Sequence, residues 1–513
     1  MHSLVSDQGN DKVMAAPASL EEPGKTPTKA VLRINFPPVK DREEILRSQQ
    51  AGIPDTIARD NLEQDIPPVI RSVLELSHLL VSGYSQYFRT APGYAGGLFY
   101  HGSPYCFASG YRDGLRPKDD DDKENHMRLK DPLTYGVLSL PITAAYLCEL
   151  HGKNMFDLER PLVEYLPDLQ EKLDPDVTAR SILSFTTVID ERRILKDAGV
   201  SQYVPFFAWN VCDAVAKRVY APLNRFFAGG RTDTLNGRQQ RENLVQYIRS
   251  SRQFRGFLRR PLRLAHVSHF SVAILIAAVE AQLNGVSFED SIREHFFEPA
   301  QSHPAGYGPP TLWRDPNEIF YQPKGLALQH QGFKKPIPTG SPENCAPPVF
   351  NASLNLYSPV EEYAKLLMLS LDTIRDAREI LGCPNPRYPH HDFGVRILPA
   401  YEEFRLRPAI LSGLDFLPTA ASFRYDRKND LGTLGISSCG TRGARMFAGS
   451  ISHVIQHLFV KHVLREGVNP DKPLDLNNPM GEPSTETERK FKKITKQQEH
   501  KSYFKNLDAH KKL

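Results

Sequence analysis

The chain of 513 residues has few cysteines and no long apolar segment. Its six cysteines are scattered, without a Cys-x-x-Cys pair or the cysteine–histidine spacing of a zinc site. We interpret them as reduced thiols of a cytoplasmic protein and predict no metal and no cofactor. The longest apolar run, 272–279, is much shorter than the roughly 20 residues that span a bilayer. The N-terminal residues also lack the apolar core of a secretory signal, so we expect no membrane contact.

A strong excess of one charge is also missing. The 64 basic and 60 acidic residues leave a net charge of +4, which gives no global field that would favour nucleic acid. The arginine-rich stretch 249–264 is interpreted as a solvated helix face, with RNA or phosphate contact as the alternative. Residues 1–60 have the composition of a flexible segment, and 466–513 form a polar, lysine-rich tail. Its final Lys-Lys-Leu only loosely resembles the peroxisomal Ser-Lys-Leu signal, which leaves a peroxisomal location as an alternative.

Hydrophobic periodicity predicts the order of the remaining elements. A helix is expected over 68–81, a β-hairpin within 92–114, and a helix from Ser139, its N-cap, to Gly152, its C′ residue. Residues 190–263 are predicted to be a long helical stretch. Strands are expected at 391–398, 422–437 and 445–450, before a last helix over 451–466. This order predicts an α+β fold for 61–465, in which an antiparallel sheet is flanked by helices and a helical lobe of about 135–345 is inserted between its parts.

Four stretches follow one another in an order that resembles a known family. They are PGYAGGLFYHGSPYCFASGYRDG (92–114), LSLPITAAYLCELHGKNMFDLERPLVEYLPDL (138–169), VTARSILSFTTVI (177–189) and VSHFSVAILIAAVEAQLNGVSFEDSIREHFFEPAQ (267–301). Together they are similar to the serine β-lactamase, penicillin-binding protein and esterase/transesterase family, including its fungal branch of polyketide acyltransferases. The resemblance extends from about 92 to 463 and implies a β-lactamase/transpeptidase-like fold.

The resemblance also implies a catalytic apparatus. Members of the family use a serine nucleophile, a lysine one helical turn later that accepts its proton, a Tyr-x-Asn motif, and a late Lys/His-x-Gly strand that lines the pocket. The matching positions here are Ser139 for the nucleophile, Ile142 for the lysine, Val267 and His269 for the tyrosine and asparagine, and Ser438, Cys439 and Gly440 for the late motif. The serine and one glycine are kept, while the groups that transfer protons are lost.

These losses favour a degenerate site. A serine hydroxyl is a weak nucleophile without a base, and general-base assistance contributes about 10²–10⁴ in rate. Our first hypothesis is therefore a non-catalytic or altered member, in which Ser139 is an ordinary N-cap. It would bind a small acyl-type or apolar ligand, or a partner protein, in the former cleft. Similarity to the fungal branch suggests a place in secondary metabolism.

The sequence leaves other interpretations open. His269 or His266 could act as the base for Ser139 in a serine acyltransferase or esterase. Cys439 could be a nucleophile, although a buried structural cysteine is commoner. The neighbours His390, His391 and Asp392 in RYPHHD are not expected to bind metal, because adjacent residues on a strand point apart. A third hypothesis is an interaction protein that docks through its basic tail and its arginine-rich segment.

Overall fold

The computed structural model describes most of the region between residues 67 and 464. The described residues are 67–88, 93–110, 127–129, 131–189, 191–200, 221–229, 236–251, 257–259, 268–302, 305–308, 329–330, 336–337, 346–382, 391–393, 395–398, 403–406, 420–426, 429–438 and 442–464. The predictions for 1–60, for the 466–513 tail, for His266, Val267, Cys439 and Gly440, and for the first four residues of RYPHHD all lie outside them.

Helices dominate the middle of the described chain. They are α1 Pro68–Phe88, α2 Ser139–Gly152, α3 Leu162–Tyr165, α4 Ala179–Leu183, α5 Glu191–Asp197, α6 Ala221–Phe227, α7 Gly237–Ser250, α8 His269–Gln282, α9 Phe288–Ile292, α10 Asn351–Leu354, α11 Val360–Leu381 and α12 Arg442–His462. A short 3₁₀ turn, Gly136–Leu138, leads directly into α2, and a π-helical turn, Arg293–Phe297, continues α9.

Strands lie mainly at the two ends of the described chain. They are β1 Gly93–Tyr100, β2 Ser103–Gly110, β3 Leu133–Thr134, β4 Thr187–Ile189, β5 Phe257–Arg259, β6 Gly306–Tyr307, β7 Gln329–His330, β8 Pro336–Ile337, β9 Leu356–Ser358, β10 His391–Asp392, β11 Val395–Leu398, β12 Glu403–Leu406, β13 Ala420–Asp426 and β14 Leu431–Ser437. Three small sheets pair β3 and β6 with β9, β4 with β5, and β7 with β8.

The main sheet has seven antiparallel strands in the order β10-β11-β12-β13-β14-β1-β2. The hairpin of β1 and β2 therefore joins strands that come more than 300 residues later, with Tyr94 opposite Ser437. Most of the helices come between these two groups of strands in the chain. The predicted α+β architecture, an antiparallel sheet flanked by helices, is confirmed.

One face of this sheet is covered by α1 and α12. Helix α12 approaches closely because two glycines, Gly96 of β1 and Gly435 of β14, lie opposite each other beneath it. A Cβ atom on Gly435 would collide with the carbonyl oxygen of Ala448 and stand 2.7 Å from Cβ of Ile451, both on the helix. A Cβ atom on Gly96 would lie 2.8 Å from the Ile451 side chain. The two glycines thus form a shallow groove in which α12 rests.

The opposite face packs against α11, and α11 in turn packs against α2. Tyr135, just before α2, stacks on Tyr363 of α11 with ring centroids 3.6 Å apart. The Tyr363 hydroxyl donates a hydrogen bond to the carbonyl of Leu138 at 3.0 Å. These contacts fix the entry of α2 in the protein core, where nearly all of its side chains are buried.

A buried ion network ties the helical elements together. Arg241 of α7 has no exposed side-chain surface and donates hydrogen bonds to both Glu280 of α8 and Glu289 of α9. Burial alone lowers the pKa of Arg241, but the two carboxylates outweigh it and hold that pKa above its ordinary value. Burial likewise raises the pKa of Glu289, and Arg241 reverses this, so the Glu289 pKa is lowered overall. The network holds three helices around one guanidinium group.

Several predicted boundaries are wrong in detail. Residues 445–450 belong to α12 rather than to a strand. The described parts of 190–263 form the separate helices α5, α6 and α7 and the strand β5, not one long helix. Gly152 is the last residue of α2 with Lys153 as its C-cap, and the positive φ that follows the helix belongs to Asn154.

Candidate functional site

Ser139 begins α2 and is completely buried. Its hydroxyl donates to the carbonyl of Gly136 at 2.5 Å and accepts from the backbone N–H of Leu356, the first residue of β9, at 3.1 Å. The prediction that Ser139 is the N-cap is wrong, because the cap position falls on Leu138 and the preceding 3₁₀ turn runs into the helix. The hydroxyl instead joins two backbone segments, with its proton committed to one of them.

The position one turn after Ser139 carries no base. Ile142 is fully buried in the apolar core, so it offers neither a proton acceptor nor access to solvent. Three buried residues of α2 carry hydroxyl groups, Ser139, Thr143 and Tyr146, and their spacing places all three on one face of the helix. Each of them has a hydrogen-bond partner in a neighbouring element. The polar face of α2 therefore serves to hold surrounding chain segments.

The direction of the hydrogen bonds along this face can be worked out. Thr143 donates its one hydroxyl proton to the carbonyl of Ala352 at 2.6 Å, so Tyr307 must donate to the Thr143 oxygen, 3.0 Å away. Tyr146 donates to Ser291 at 2.7 Å. Burial raises the pKa values of the Tyr146 and Tyr307 phenols well above their usual range. Neither phenol is poised as a base near neutral pH.

His269 occupies the first position of α8, where Ser268 caps the helix by accepting from the N–H of Ser271. The His269 side chain is fully buried, and its ring centre lies 6.2 Å from that of Phe350 in an edge-on arrangement. Both hydrogen bonds of the Ser139 hydroxyl go to backbone groups. His269 is therefore not the acceptor of the Ser139 proton in this structure, and its role as a base for Ser139 stays a prediction.

Ser438 follows β14 and is also buried. Its hydroxyl accepts from the N–H of Gly93 at 3.1 Å and donates to the carbonyl of the same residue at 3.0 Å. Ser438 therefore extends the pairing of β14 with β1. The neighbouring strand β13 packs against the turn before Ser139. A pocket-lining role for Ser438, Cys439 and Gly440 stays a prediction.

Across the described ranges, no three His, Cys, Asp or Glu side chains converge in a way that could hold a metal ion. Within the same ranges, no helix combines the length and the apolar composition needed to cross a membrane.

We expect Ser139→Ala to destabilise the protein by about 1–3 kcal/mol, because the buried N–H of Leu356 loses its acceptor. Urea denaturation of the variant and the parent protein measures this difference. Ser250→Ala provides a control, since the exposed Ser250 hydroxyl bonds only within its own helix end and its loss is expected to cost less than about 0.5 kcal/mol. A Ser139 variant as stable as the control would contradict a bridging role for this hydroxyl.

The sheet order, the flanking helices and the placement of α2 define a β-lactamase/transpeptidase-like fold, and solved structures of that fold match the chain. A β-lactamase from Sulfitobacter sp. EE-36 matches at 12% identity with a TM-score of 0.50, over 77% of this chain and 99% of its own. A D-amino acid amidase from Ochrobactrum anthropi SV3 matches at 13% identity with a TM-score of 0.48, over 76% of this chain and 98% of its own. A class C β-lactamase from Rhodobacter sphaeroides matches at 13% identity with a TM-score of 0.48, over 75% of this chain and 99% of its own.

These likenesses concern the fold alone, because the identities are low. No protein-family model matches the chain, and no curated protein matches it. The match with a TM-score of 0.50, together with the order of strands in the main sheet, confirms the predicted fold class. The activity has to be argued from the residues of the site.

The sequence interpretation missed two sets of residues. Thr143 and Tyr146 follow Ser139 at helical spacing, a pattern that could have indicated a polar face with partners. Glu280 is the one acidic residue of a strongly apolar helix. Because a buried carboxylate needs a cationic partner, it could have indicated an ion pair such as the one with Arg241.

Proposed function

We propose that this protein is a non-catalytic member of the β-lactamase-like fold class, at least for acyl transfer at Ser139. The observation that carries the proposal is the state of the Ser139 hydroxyl. It is fully buried, it donates its proton to the carbonyl of Gly136, and it accepts a hydrogen bond from the N–H of Leu356. Acyl transfer needs a nucleophile that meets its substrate and a base that receives its proton, and Ile142 occupies the place of that base.

In this proposal the former catalytic face has become structural, and the remaining function is binding. The ligand would be a small acyl-type or apolar molecule, or a partner protein, held where the family positions its substrates. A setting in secondary metabolism rests on the resemblance to the fungal acyltransferase branch and belongs to the same proposal. No nucleic-acid or membrane partner is proposed.

A serine-reactive fluorophosphonate probe and a β-lactam test the loss of nucleophilic chemistry. We expect no adduct on the folded protein, because neither reagent reaches a hydroxyl with no exposed surface and no base. Intact-mass measurement followed by peptide mapping detects any adduct and assigns it without the need for a variant. An active serine β-lactamase treated in parallel shows that both reagents are competent. A stoichiometric adduct on the peptide that contains Ser139 would overturn the proposal.

The alternative, a serine acyltransferase or esterase that uses Ser139 with His269, predicts turnover. It requires the Ser139 hydroxyl to leave both of its backbone partners and to meet a histidine nitrogen. An acyl thioester assay separates the two functions: binding without catalysis raises the melting temperature and releases no thiol. Thiol release above the rate of a heat-denatured sample would favour the enzyme.

A further inference from the structure

His78 is a buried histidine in the first described helix, remote from Ser139 and the face of α2. It lies on α1, where only 6% of its surface is exposed. Its Nδ1 atom has no hydrogen-bond partner. The ring stands 6.2 Å from that of Tyr94 on β1 and 5.6 Å from that of Phe107 on β2. The imidazole is thus enclosed by aromatic rings rather than by groups that stabilise a positive charge.

The charged and titratable groups around His78 do not compensate for protonation. On its own helix, Glu75 is half-buried and interacts with Arg71. On α12, the helix packed against α1, His453 bonds Arg424 of β13, and His457 stacks on His453.

Tyr94 of β1 and Phe107 of β2 bring no formal charge to the ring of His78. Burial lowers the pKa of His78 to about 4, from an ordinary value of 6.5. Desolvation is the cause of this shift, so the docked state disfavours an imidazolium ion in this position.

The surroundings of α1 make local release possible. The helix belongs to a smaller apolar cluster, formed with α12 and one face of the sheet, that is separate from the larger core around α2, α8 and α11. Its contributions to that smaller cluster are Val69, Ile70, Val73, Leu74, Leu76 and Val81. Because α1 is not part of the larger core, it can leave without opening that core.

We propose that α1 is a pH-sensitive helix, docked on the sheet while His78 is neutral and docked more weakly when His78 takes up a proton. The sign follows from the lowered pKa in the docked state. Docking is fully supported above the ordinary histidine pKa of 6.5 and weakens as the pH falls from there towards 4. Release would uncover the aromatic surface of Tyr94 and Phe107.

Amide hydrogen exchange of α1, corrected for the intrinsic effect of pH, tests this proposal. Between pH 7.5 and pH 5 we expect the protection of α1 to fall about 30-fold, the ratio that linkage gives for pKa values of 6.5 and about 4. Protection of α8, deep in the larger core, should stay within a factor of about three. A parallel loss in both helices, or an unchanged α1, would overturn the proposal.

Two variants assign the effect to His78. His78→Phe keeps an aromatic ring between Tyr94 and Phe107, and His78→Leu serves if the phenylalanine does not fit. Either variant should abolish the pH dependence of amide protection in α1. Burial and Lys461 also lower the pKa of His457 on the opposing helix. His457→Gln therefore measures the share of that second histidine and should leave most of the pH effect in α1 intact. Glu75 cannot be the source, because burial raises its pKa and its protonation therefore favours docking. Persistence of the pH effect in both His78 variants would contradict the assignment.

Discussion

Replacing Arg241 with methionine is expected to lower the free energy of unfolding by about 3–5 kcal/mol, a large share of the stability of an ordinary domain. Methionine fills much of the same space, so the loss does not come from a cavity. It arises because Glu280 and Glu289 keep their buried positions and lose the guanidinium group that both of them bind. Two carboxylates would then face each other with only neutral hydrogen-bond donors.

The pH dependence of the Arg241→Met variant provides an independent check. In the parent protein the pKa of Glu289 is lowered, so this group contributes stability above its unfolded pKa of 4.5 that is lost as the pH falls. Without the arginine, burial raises the pKa of Glu289, and this carboxylate can bind a proton at mildly acidic pH. We therefore expect the difference between variant and parent to shrink between pH 7 and pH 5. Denaturant titrations at several pH values measure it.

Arg249→Met is the control for this experiment. Arg249 lies on the same helix, α7, and pairs with Asp168 at 2.9 Å, but about half of each side chain is exposed. An exposed pair of this kind contributes about 0–1 kcal/mol. Equal losses for the two variants would show that Arg241 has no special role in the core.

The second large effect is expected at Gly435. Alanine at this position should cost about 3 kcal/mol, and valine more, because the new Cβ meets the backbone of α12. The carbonyl of Ala448 and the N–H of Ser452, 3.0 Å away, cannot rotate aside as a side chain could. The helix must then rise from the sheet, with loss of the contacts of Phe447 and Ile451 in the cluster below.

Gly152→Ala is the matched substitution in open space, since no atom stands within 4 Å of its added Cβ. It should be neutral or stabilise by roughly 0.5–1 kcal/mol, because alanine restricts the unfolded chain and favours the helix. If α12 lies directly on the glycine groove, Gly435→Ala lowers the free energy of unfolding, whereas Gly152→Ala leaves it unchanged or raises it. Urea denaturation gives the sign, and hydrogen exchange in α12 shows whether that helix is loosened. A Gly435→Ala protein as stable as the parent would contradict the close approach.

The general architecture could be predicted because it depends on patterns spread along the whole chain. The hairpin at 93–110, the apolar helix from His269 and the late strands each have a periodicity that permits one main interpretation. The segment 445–450 has no such periodicity, because a short apolar run fits a strand or a helix equally well. Its place in α12 depends on Gly96 and Gly435, which are remote in sequence.

The candidate site was harder to predict for the same physical reason. The sequence correctly indicates that Ser139 begins a helix without a base at Ile142. It does not reveal that the hydroxyl binds the N–H of Leu356, because that residue comes 217 positions later. The position of His269 at the start of α8 was foreseeable, whereas the orientation of its ring towards Phe350 depends on tertiary packing alone.

The pairing of β1 with β14 has a consequence for the synthesis of this protein. Gly93 and Ser438, which bond each other where these strands meet, are 345 residues apart. At about 5–20 residues per second, a ribosome needs tens of seconds to make the intervening chain. During this time the β1–β2 hairpin has no partner on the β1 side, and an open strand edge invites pairing with other chains. The β1 edge of the nascent chain therefore stays unpaired until β14 emerges from the ribosome.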